Sequence, residues 1–154
     1  MGGGCILHNV LIKCLTTLQE IDLDSMIAES REEGFRFLDR LVADDQTGVN
    51  SFDKPGEVLY GVYLNDALIG IGGMNQDPYS PSPKVGRLRR FYIKKCFRRQ
   101  GIGRMLVQQL LNDARTFFEV VVLRTDTEQA DQFYQSLGFI KGDRFSNSTH
   151  YLIL

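Results

Sequence analysis

The sequence of 154 residues contains no tryptophan, only two histidines and only three cysteines. The cysteines, Cys5, Cys14 and Cys96, form no C-x-x-C pair, and their odd number fits neither a disulfide framework nor a zinc site. The histidines, His8 and His150, lie near opposite ends of the chain, so a metal cluster or a Ser-His-Asp triad has little to be built from. We therefore expect reduced thiols, no bound metal and a His150 that belongs to a terminal strand.

Long apolar runs are absent as well. No stretch approaches the roughly 20 consecutive apolar residues that a membrane helix needs, and the N-terminus lacks a basic region followed by an apolar signal core. With 43% hydrophobic and 24% charged residues, the composition is that of an ordinary globular domain. We expect residues 1–154 to form a single domain in the cytoplasm, without a membrane partner.

Acidic residues are missing from one long segment, although the net charge of the chain is only -1. Between residues 78 and 112 there is no Asp or Glu, while that segment holds half of the cations: Lys84, Arg87, Arg89, Arg90, Lys94, Lys95, Arg98, Arg99 and Arg104. Such a block is either a solvated basic face or an anion site. The aromatic residues Phe91, Tyr92 and Phe97 within it leave nucleic-acid binding open, but the pI near 6.1 counts against it.

Hydrophobic periodicity predicts strands and helices in a mixed order. The predicted elements are a strand at 10–12, two helices between 18 and 42 with a break at Gly34, strands at 57–64 and 67–72 joined by Asn65-Asp66, a strand at 85–93, a helix from Ile102, a strand at 119–124, a helix closed by Gly138 and a strand at 149–154. The strand at 85–93 changes its apolar phase between Leu88 and Phe91, which predicts a bulge. The four apolar residues 120–123 are typical of a strand covered on both faces, and hence of parallel pairing. Thr125 and Glu128 have the spacing of a capping box.

The segment from 98 to 104, here called the phosphate loop, joins a predicted strand to an amphipathic helix. Its glycines, Gly101 and Gly103, allow close approach of the backbone, and the free N–H groups at the start of a helix favour anions. Gly103 is followed by Arg104 and Met105, so this is no Walker loop, and Leu106 stands where a dinucleotide fingerprint needs a third glycine. The loop therefore indicates a pyrophosphate site, with a tight strand-to-helix turn as the structural alternative.

Two motifs together resemble those of the GNAT acetyltransferases. Phe91-Tyr92-Ile93, a four-residue gap and the R-x-x-G-x-G pattern of the phosphate loop are similar to the acyl-CoA motif of that family. A second segment of the family, Ala-x-x-Phe-Tyr-x-x-x-Gly-Phe, is matched by Ala130, Phe133, Tyr134, Gly138 and Phe139. The resemblance covers about residues 57–154. It implies an α/β (α+β) fold with a mixed, mostly antiparallel central sheet, helices on both faces, and a parallel pair of strands after the phosphate-loop helix.

The resemblance also implies acetyl-CoA as cosubstrate and assigns residues to it. The coenzyme-binding residues transferred by position are Phe91, Tyr92, Ile93, Arg98, Arg99, Gln100, Gly101, Ile102, Gly103, Arg104 and Thr127. The loop backbone would bind the pyrophosphate, and the strand backbone would pair with the pantetheine arm. Tyr134 would act as the general acid, because a phenol with a reference pKa of about 10, above the value of about 8.5 for a thiol, still holds its proton when the thiolate leaves. The alternatives are that Tyr134 only packs in the core and that Thr127, where the family often has Asn, only supports the start of a helix.

The sequence departs from the family at the position of a frequent strand carboxylate, which is Arg87 here. The general base is therefore unassigned, and Glu33, Asp77 and Asp126 are weak candidates. We also consider that an arginine of this strand faces the acceptor and selects a carboxylate-bearing amine; a solvated stripe or a contact with the 3'-phosphate of the coenzyme is the alternative.

The function implied is transfer of an acetyl group to a primary amine by direct attack in a ternary complex, with a small or amino-acid-like acceptor favoured. A non-catalytic acyl-CoA-binding sensor or interaction module is the alternative. The final strand and hydrophobic surfaces are compatible with a homodimer.

Overall fold

The fold is built on one seven-stranded sheet, seen in a computed structural model that describes residues 9–154, so that Cys5 and His8 lie outside the described range. Its strands are β1 (Val10–Cys14), β2 (Val58–Leu64), β3 (Ala67–Gln76), β4 (Val85–Ile93), β5 (Val120–Leu123), β6 (Ile140–Lys141) and β7 (His150–Ile153). Their order across the sheet is β1-β2-β3-β4-β5-β7-β6. Among the strands of residues 9–154, β4 and β5 pair in parallel and all other neighbours pair antiparallel.

Four α-helices cover the two faces of this sheet. They are α1 (Asp24–Glu32), α2 (Phe37–Thr47), α3 (Ile102–Ala114) and α4 (Glu128–Ser136). The first two pack over Leu59 and Ile71 in one hydrophobic cluster, while α3 and α4 pack over Val62 and Met74 in another. The predicted mixed, mostly antiparallel sheet with helices on both faces and one parallel pair is thus confirmed. None of the helices between residues 9 and 154 is long and apolar enough to cross a membrane.

Local sequence signals explain most element boundaries, but β3 extends four residues beyond the predicted 67–72 and two further differences appear near the C-terminus. Asn65 and Asp66 have φ values of 49° and 69°, as a tight two-residue hairpin connection requires. The start of α4 was predicted at Thr125, but the N-cap is Thr127, whose Oγ1 accepts a hydrogen bond of 3.1 Å from the Ala130 N–H. The N–H of Thr125 instead donates to Oγ1 of Thr149, just before β7, and the short strand β6 was not predicted.

A bulge in β4 was predicted from the change of apolar phase, and the structure contains it. Gly73 of β3 pairs with Arg89 while Ile71 pairs with Tyr92, so β4 has one more residue than β3 in this interval. Arg90, in this interval, has φ 56°. The extra residue puts Arg89 and Arg90 next to each other on the face covered by α1 and α2.

The parallel strands β4 and β5 separate beyond a short paired segment. Their last paired residues are Arg87 and Val122, whereas β4 continues to Ile93. No strand of the described chain pairs with this edge of β4 after Arg87. A wedge with free backbone groups on its β4 side therefore opens just before the phosphate loop.

Candidate active site

The phosphate loop presents a row of backbone donors. Arg99 and Gly101 have positive φ values of 61° and 82°, and Gly101 is the N-cap of α3. None of the N–H groups from 99 to 104 donates a hydrogen bond to a residue of the described chain, and the first bond of the helix runs from the Met105 N–H to the Gly101 carbonyl at 3.0 Å. These groups lie at the positive end of a 13-residue helix. The arrangement suits the oxygens of a phosphate or pyrophosphate.

Gly103 brings the start of α3 close to two aromatic rings. A Cβ at this position would lie 3.3 Å from Cζ of Phe133 and 3.6 Å from Cζ of Phe91. A longer side chain would have to enter the space between the helix start and these rings. The glycine therefore keeps the loop backbone accessible beside the wedge.

The side chain of Arg98 is engaged within the protein. Its guanidinium donates to both carboxylate oxygens of Glu33 at 2.9 and 2.7 Å, and its Nε donates to the Ile93 carbonyl at 2.7 Å. It also lies 5.0 Å from the centre of the Tyr92 ring. The hydrogen bonds from Arg98 hold the pKa of Glu33 below its usual value, and burial raises the pKa of Tyr92, whose hydroxyl donates to Glu29 and Glu33.

These contacts join the end of β4 to α1, and they distinguish Arg98 from the other two arginines of the phosphate loop. Arg98 fixes the position of the loop, whereas Arg99 is exposed and its side chain makes no hydrogen bond within the described chain. Arg104 is also exposed and donates to Ser136 at 3.2 Å. Of the predicted phosphate contacts, those of Arg99 and Arg104 are more accessible than that of Arg98.

Tyr134 lies under the aromatic cluster next to the wedge. It is 6% exposed, and its ring centre is 5.0 Å from that of Phe133, 5.6 Å from that of Phe139 and 6.2 Å from that of Phe91. Its hydroxyl has no hydrogen-bond partner among the described residues. Burial raises the pKa of the phenol above its ordinary value near 10. The Tyr134 hydroxyl therefore stays protonated and can donate to a ligand.

A histidine and a carboxylate beside Tyr134 were missed from the sequence. His150 is 1% exposed; its Nε2 lies 2.6 Å from Oδ1 of Asp131, and its Nδ1 lies 2.8 Å from Oγ1 of Thr149. The hydrogen bond to His150 lowers the pKa of Asp131. The pair links α4 to β7, and the His150 ring centre is 6.3 Å from that of Tyr134. His150 is a residue of the last strand, as predicted, and no local pattern indicates its partner 19 residues earlier.

Arg87 does not face a free acceptor site. It is 5% exposed, its Nε donates to Asp77 at 2.8 Å, and its terminal nitrogens donate to the carbonyls of Ser146 and Asn147 at 3.1 and 3.0 Å. The hypothesis that Arg87 selects the acceptor is therefore not supported by its contacts. Asp77 is occupied by the same ion pair, which weakens it as a candidate base.

The next two arginines of β4 differ from Arg87. Arg90 donates to Asp44 of α2 at 3.3 Å, but its buried Nε has no partner in the described part of the chain. Arg89 is half-buried and its side chain makes no hydrogen bond to a described residue. Burial lowers the pKa of both guanidinium groups. Within residues 9–154 no cluster of His, Cys, Asp and Glu could hold a metal ion.

Comparison with known proteins agrees with this geometry. The model of the acetyltransferase (GNAT) family matches residues 16–139. The chain therefore belongs to the GNAT acetyltransferase family, whose members generally use acetyl-CoA.

Solved structures with the same fold include several acetyltransferases. One from Exiguobacterium sp. 255-15, assigned as an acetyltransferase, is 28% identical with a TM-score of 0.83, covering 94% of this chain and 93% of its own. A GNAT-family acetyltransferase from Staphylococcus aureus Mu50 is 17% identical with a TM-score of 0.73, covering 94% and 99%. An acetyltransferase from Streptococcus agalactiae 2603 is 18% identical with a TM-score of 0.71, covering 95% and 99%. The last two likenesses concern the fold alone.

A curated relative is much longer than this chain. An uncharacterized protein of Mycobacterium leprae (strain TN) is 29% identical over 93 residues, which are 58% of this chain and 26% of that protein. The matched segment thus spans about a quarter of the length of that relative.

Proposed function

We propose that this protein is an N-acetyltransferase that transfers an acetyl group from acetyl-CoA to a primary amine. The observation that carries the proposal is the row of unpaired N–H groups from 99 to 104 beside a wedge on whose β4 strand Phe91 packs against Tyr134. We treat residues 1–154 as one acyltransferase domain, because a single sheet supports both features.

The coenzyme is held mainly by backbone groups. The N–H groups of Gln100 to Arg104 bind the pyrophosphate, assisted by the guanidinium of Arg99. The edge of β4 at 91–93, which no strand of the described chain covers and whose Ile93 carbonyl also accepts from Arg98, pairs with the amide groups of the pantetheine arm. Thr127 accepts a hydrogen bond from α4 and retains its own O–H for the same arm.

In the proposed mechanism Tyr134 is the proton donor, and no nucleophile of the protein is needed. Acetyl-CoA supplies the thioester, whose carbonyl carbon the acceptor amine attacks directly. Tyr134 donates its proton to the departing sulfur, and its raised pKa keeps the phenol protonated until that step. Because Glu33 and Asp77 are each paired with an arginine, the proton of the amine leaves through water rather than to either carboxylate.

Calorimetric titration of acetyl-CoA against the wild type and Gly103→Glu tests the coenzyme site. The variant places a side chain and a negative charge at the pyrophosphate, and we expect its affinity to fall by about 100-fold or more, given the strength of charge-assisted hydrogen bonds. Gln46→Glu, an exposed change of the same charge on α2, is the matched control and should bind as the wild type does. Absence of binding by the wild type would rule out the coenzyme site.

Tyr134→Phe tests the chemistry separately. Loss of a general acid should lower kcat by about 10²- to 10⁴-fold, while the affinity for acetyl-CoA is retained because the coenzyme-binding loop is untouched. An unchanged kcat would remove Tyr134 from the mechanism. Binding of acetyl-CoA by the wild type without transfer to any of a broad panel of amines would instead support the non-catalytic acyl-CoA-binding module.

A further inference from the structure

The bulge in β4 creates a pair of arginines that an ordinary strand would not contain. Successive residues of a strand point to opposite faces, yet Arg89 and Arg90 both lie on the face of α1 and α2. Arg89 pairs with Gly73, and a Cβ added to Gly73 would meet Phe52 and Leu59 on that face. Arg90 contacts Asp44 of α2. Two guanidinium groups are thus held side by side next to the wedge.

The three arginines of β4 at 87, 89 and 90 have only two carboxylate partners among the described residues. Arg87 is neutralised by Asp77 and Arg90 is partly neutralised by Asp44. For Arg89 no ion pair is found within residues 9–154. Three guanidinium groups therefore share two carboxylates, which leaves one half-buried cation without a counter-charge.

Arg90 adds an unsatisfied donor to this excess charge. Its side chain is only 7% exposed, and its buried Nε has no acceptor among the described residues. Buried polar groups are hydrogen-bonded in the great majority of native structures. An anion held by the half-buried Arg89 would supply the counter-charge that these arginines lack among the described residues.

The position of these arginines relative to the wedge indicates whether the anion is part of the coenzyme or of the second substrate. Arg89 is two residues beyond Arg87, the last residue of β4 that pairs with β5, so it stands at the mouth of the wedge. Phe91, Tyr134 and the start of α3 are on the other side of the sheet. An anion on the side of α1 and α2 therefore belongs to the second substrate rather than to the coenzyme.

We propose that the acceptor is an amine that carries a carboxylate a few bonds from its nitrogen, as a free amino acid does, and that Arg89 binds this carboxylate. This inference rests on the acetyl transfer proposed above. It identifies Arg89 as a residue that determines specificity rather than as a catalytic residue.

Acetylation of matched acceptor pairs tests the inference. The full chain is assayed with acetyl-CoA by release of free CoA thiol, using amino acids, their uncharged amides, and O-phosphoethanolamine as a phosphate-bearing amine. We expect kcat/KM to be about 10- to 100-fold higher for an amino acid than for its amide, which is the worth of a charge-assisted hydrogen bond at such a site. A preference for the phosphate-bearing amine over all amino acids would overturn the carboxylate assignment.

Substitutions of Arg89 then assign the preference to this residue. Arg89→Met should lower kcat/KM for the amino acid by about 10- to 100-fold and leave the amide unchanged, whereas Arg89→Lys should keep part of the preference because it keeps the charge. Arg115→Met, an exposed arginine at the far end of α3, is the control. If Arg89→Met does not fold, Arg89→Lys and the acid-to-amide ratio of the wild type decide the question.

Three further results would overturn the inference. The wild type could acetylate acids and amides equally well, or Arg89→Met could lower both rates alike. Arg89→Met could also weaken acetyl-CoA binding without changing acceptor preference, which would make Arg89 a coenzyme contact. Failure of the proposed function is distinct from these results, since it would appear as a wild type that acetylates no amine at all.

Discussion

Replacement of Arg87 by methionine should destabilise the protein strongly without altering acceptor choice. Arg87 and Asp77 have side chains that are 5% and 2% exposed, and they form an ion pair of 2.8 Å. Two further hydrogen bonds from Arg87 hold the carbonyls of Ser146 and Asn147. Methionine has a similar volume but no donor, so the carboxylate and both carbonyls would lose their partner.

The expected magnitude follows from the burial of the pair. Removal of one partner of a buried ion pair costs about 3–5 kcal/mol, because the remaining charge stays buried and uncompensated. For a domain of this size 1 kcal/mol corresponds to roughly 2–4 °C in Tm, so a decrease of roughly 10 °C is expected. Neutralising the partner as well, in Arg87→Met with Asp77→Asn, should recover at least about 1 kcal/mol of this loss.

Urea denaturation followed by circular dichroism measures these differences. The wild type, both single variants and the double variant form a thermodynamic cycle that isolates the coupling between Arg87 and Asp77. The exposed change Arg115→Met is the control and should alter stability by less than about 0.5 kcal/mol. A loss below about 1 kcal/mol in Arg87→Met, or additive effects in the cycle, would refute the structural role assigned to the pair.

Three further predictions concern the phosphate loop and α4. The hydrogen bonds from Arg98 keep the pKa of Glu33 low in the folded state, so this pair stabilises the protein above the ordinary Glu pKa near 4.5 and the stabilisation is lost as the pH falls. The unfolding free energy of Glu33→Gln should therefore fall less steeply between pH 5 and pH 3 than that of the wild type, and equal slopes would contradict this. Thr127→Ala removes the N-cap of α4 and should lower the unfolding free energy measured in urea by about 1 kcal/mol. No measurable loss would mean that Thr127 is only an exposed residue without a capping role. Gly101→Ala forces a side chain into φ 82° and should cost about 1 kcal/mol or more; calorimetry should also find weaker acetyl-CoA binding, and unchanged stability and affinity would argue against a glycine requirement.

The sequence predicted those parts of the fold that depend on neighbouring residues. Periodicity located α3 and β4, the two residues Asn65 and Asp66 located the hairpin, and the shift of phase after Leu88 located the bulge. Each of these signals acts over a few residues, so a single sequence contains it. The N-cap of α4 was misplaced by two residues because two threonines offer the same chemistry at Thr125 and Thr127.

Partners that are distant in the chain could not be predicted in this way. Glu33 meets Arg98 across 65 residues, and Arg87 meets Asn147 across 60 residues. A basic segment indicates that an anion site or a charged face exists, but it does not tell which arginine forms an ion pair with a carboxylate of the same chain. Only the tertiary contacts separate the engaged Arg87 and Arg98 from the half-buried Arg89.

The bulge in β4 has a consequence for protein engineering. Because one inserted residue sets Arg89 and Arg90 on one side of the sheet and Phe91 on the other, a combinatorial library at the two arginines can vary one side while the side chains that line the other are kept. Deletion of a single residue at the bulge would disturb the strand itself. Because side chains alternate along a strand, every position downstream would exchange faces or the strand would slip in register. Acceptor redesign in this scaffold should therefore proceed by substitution and keep the length of β4 constant.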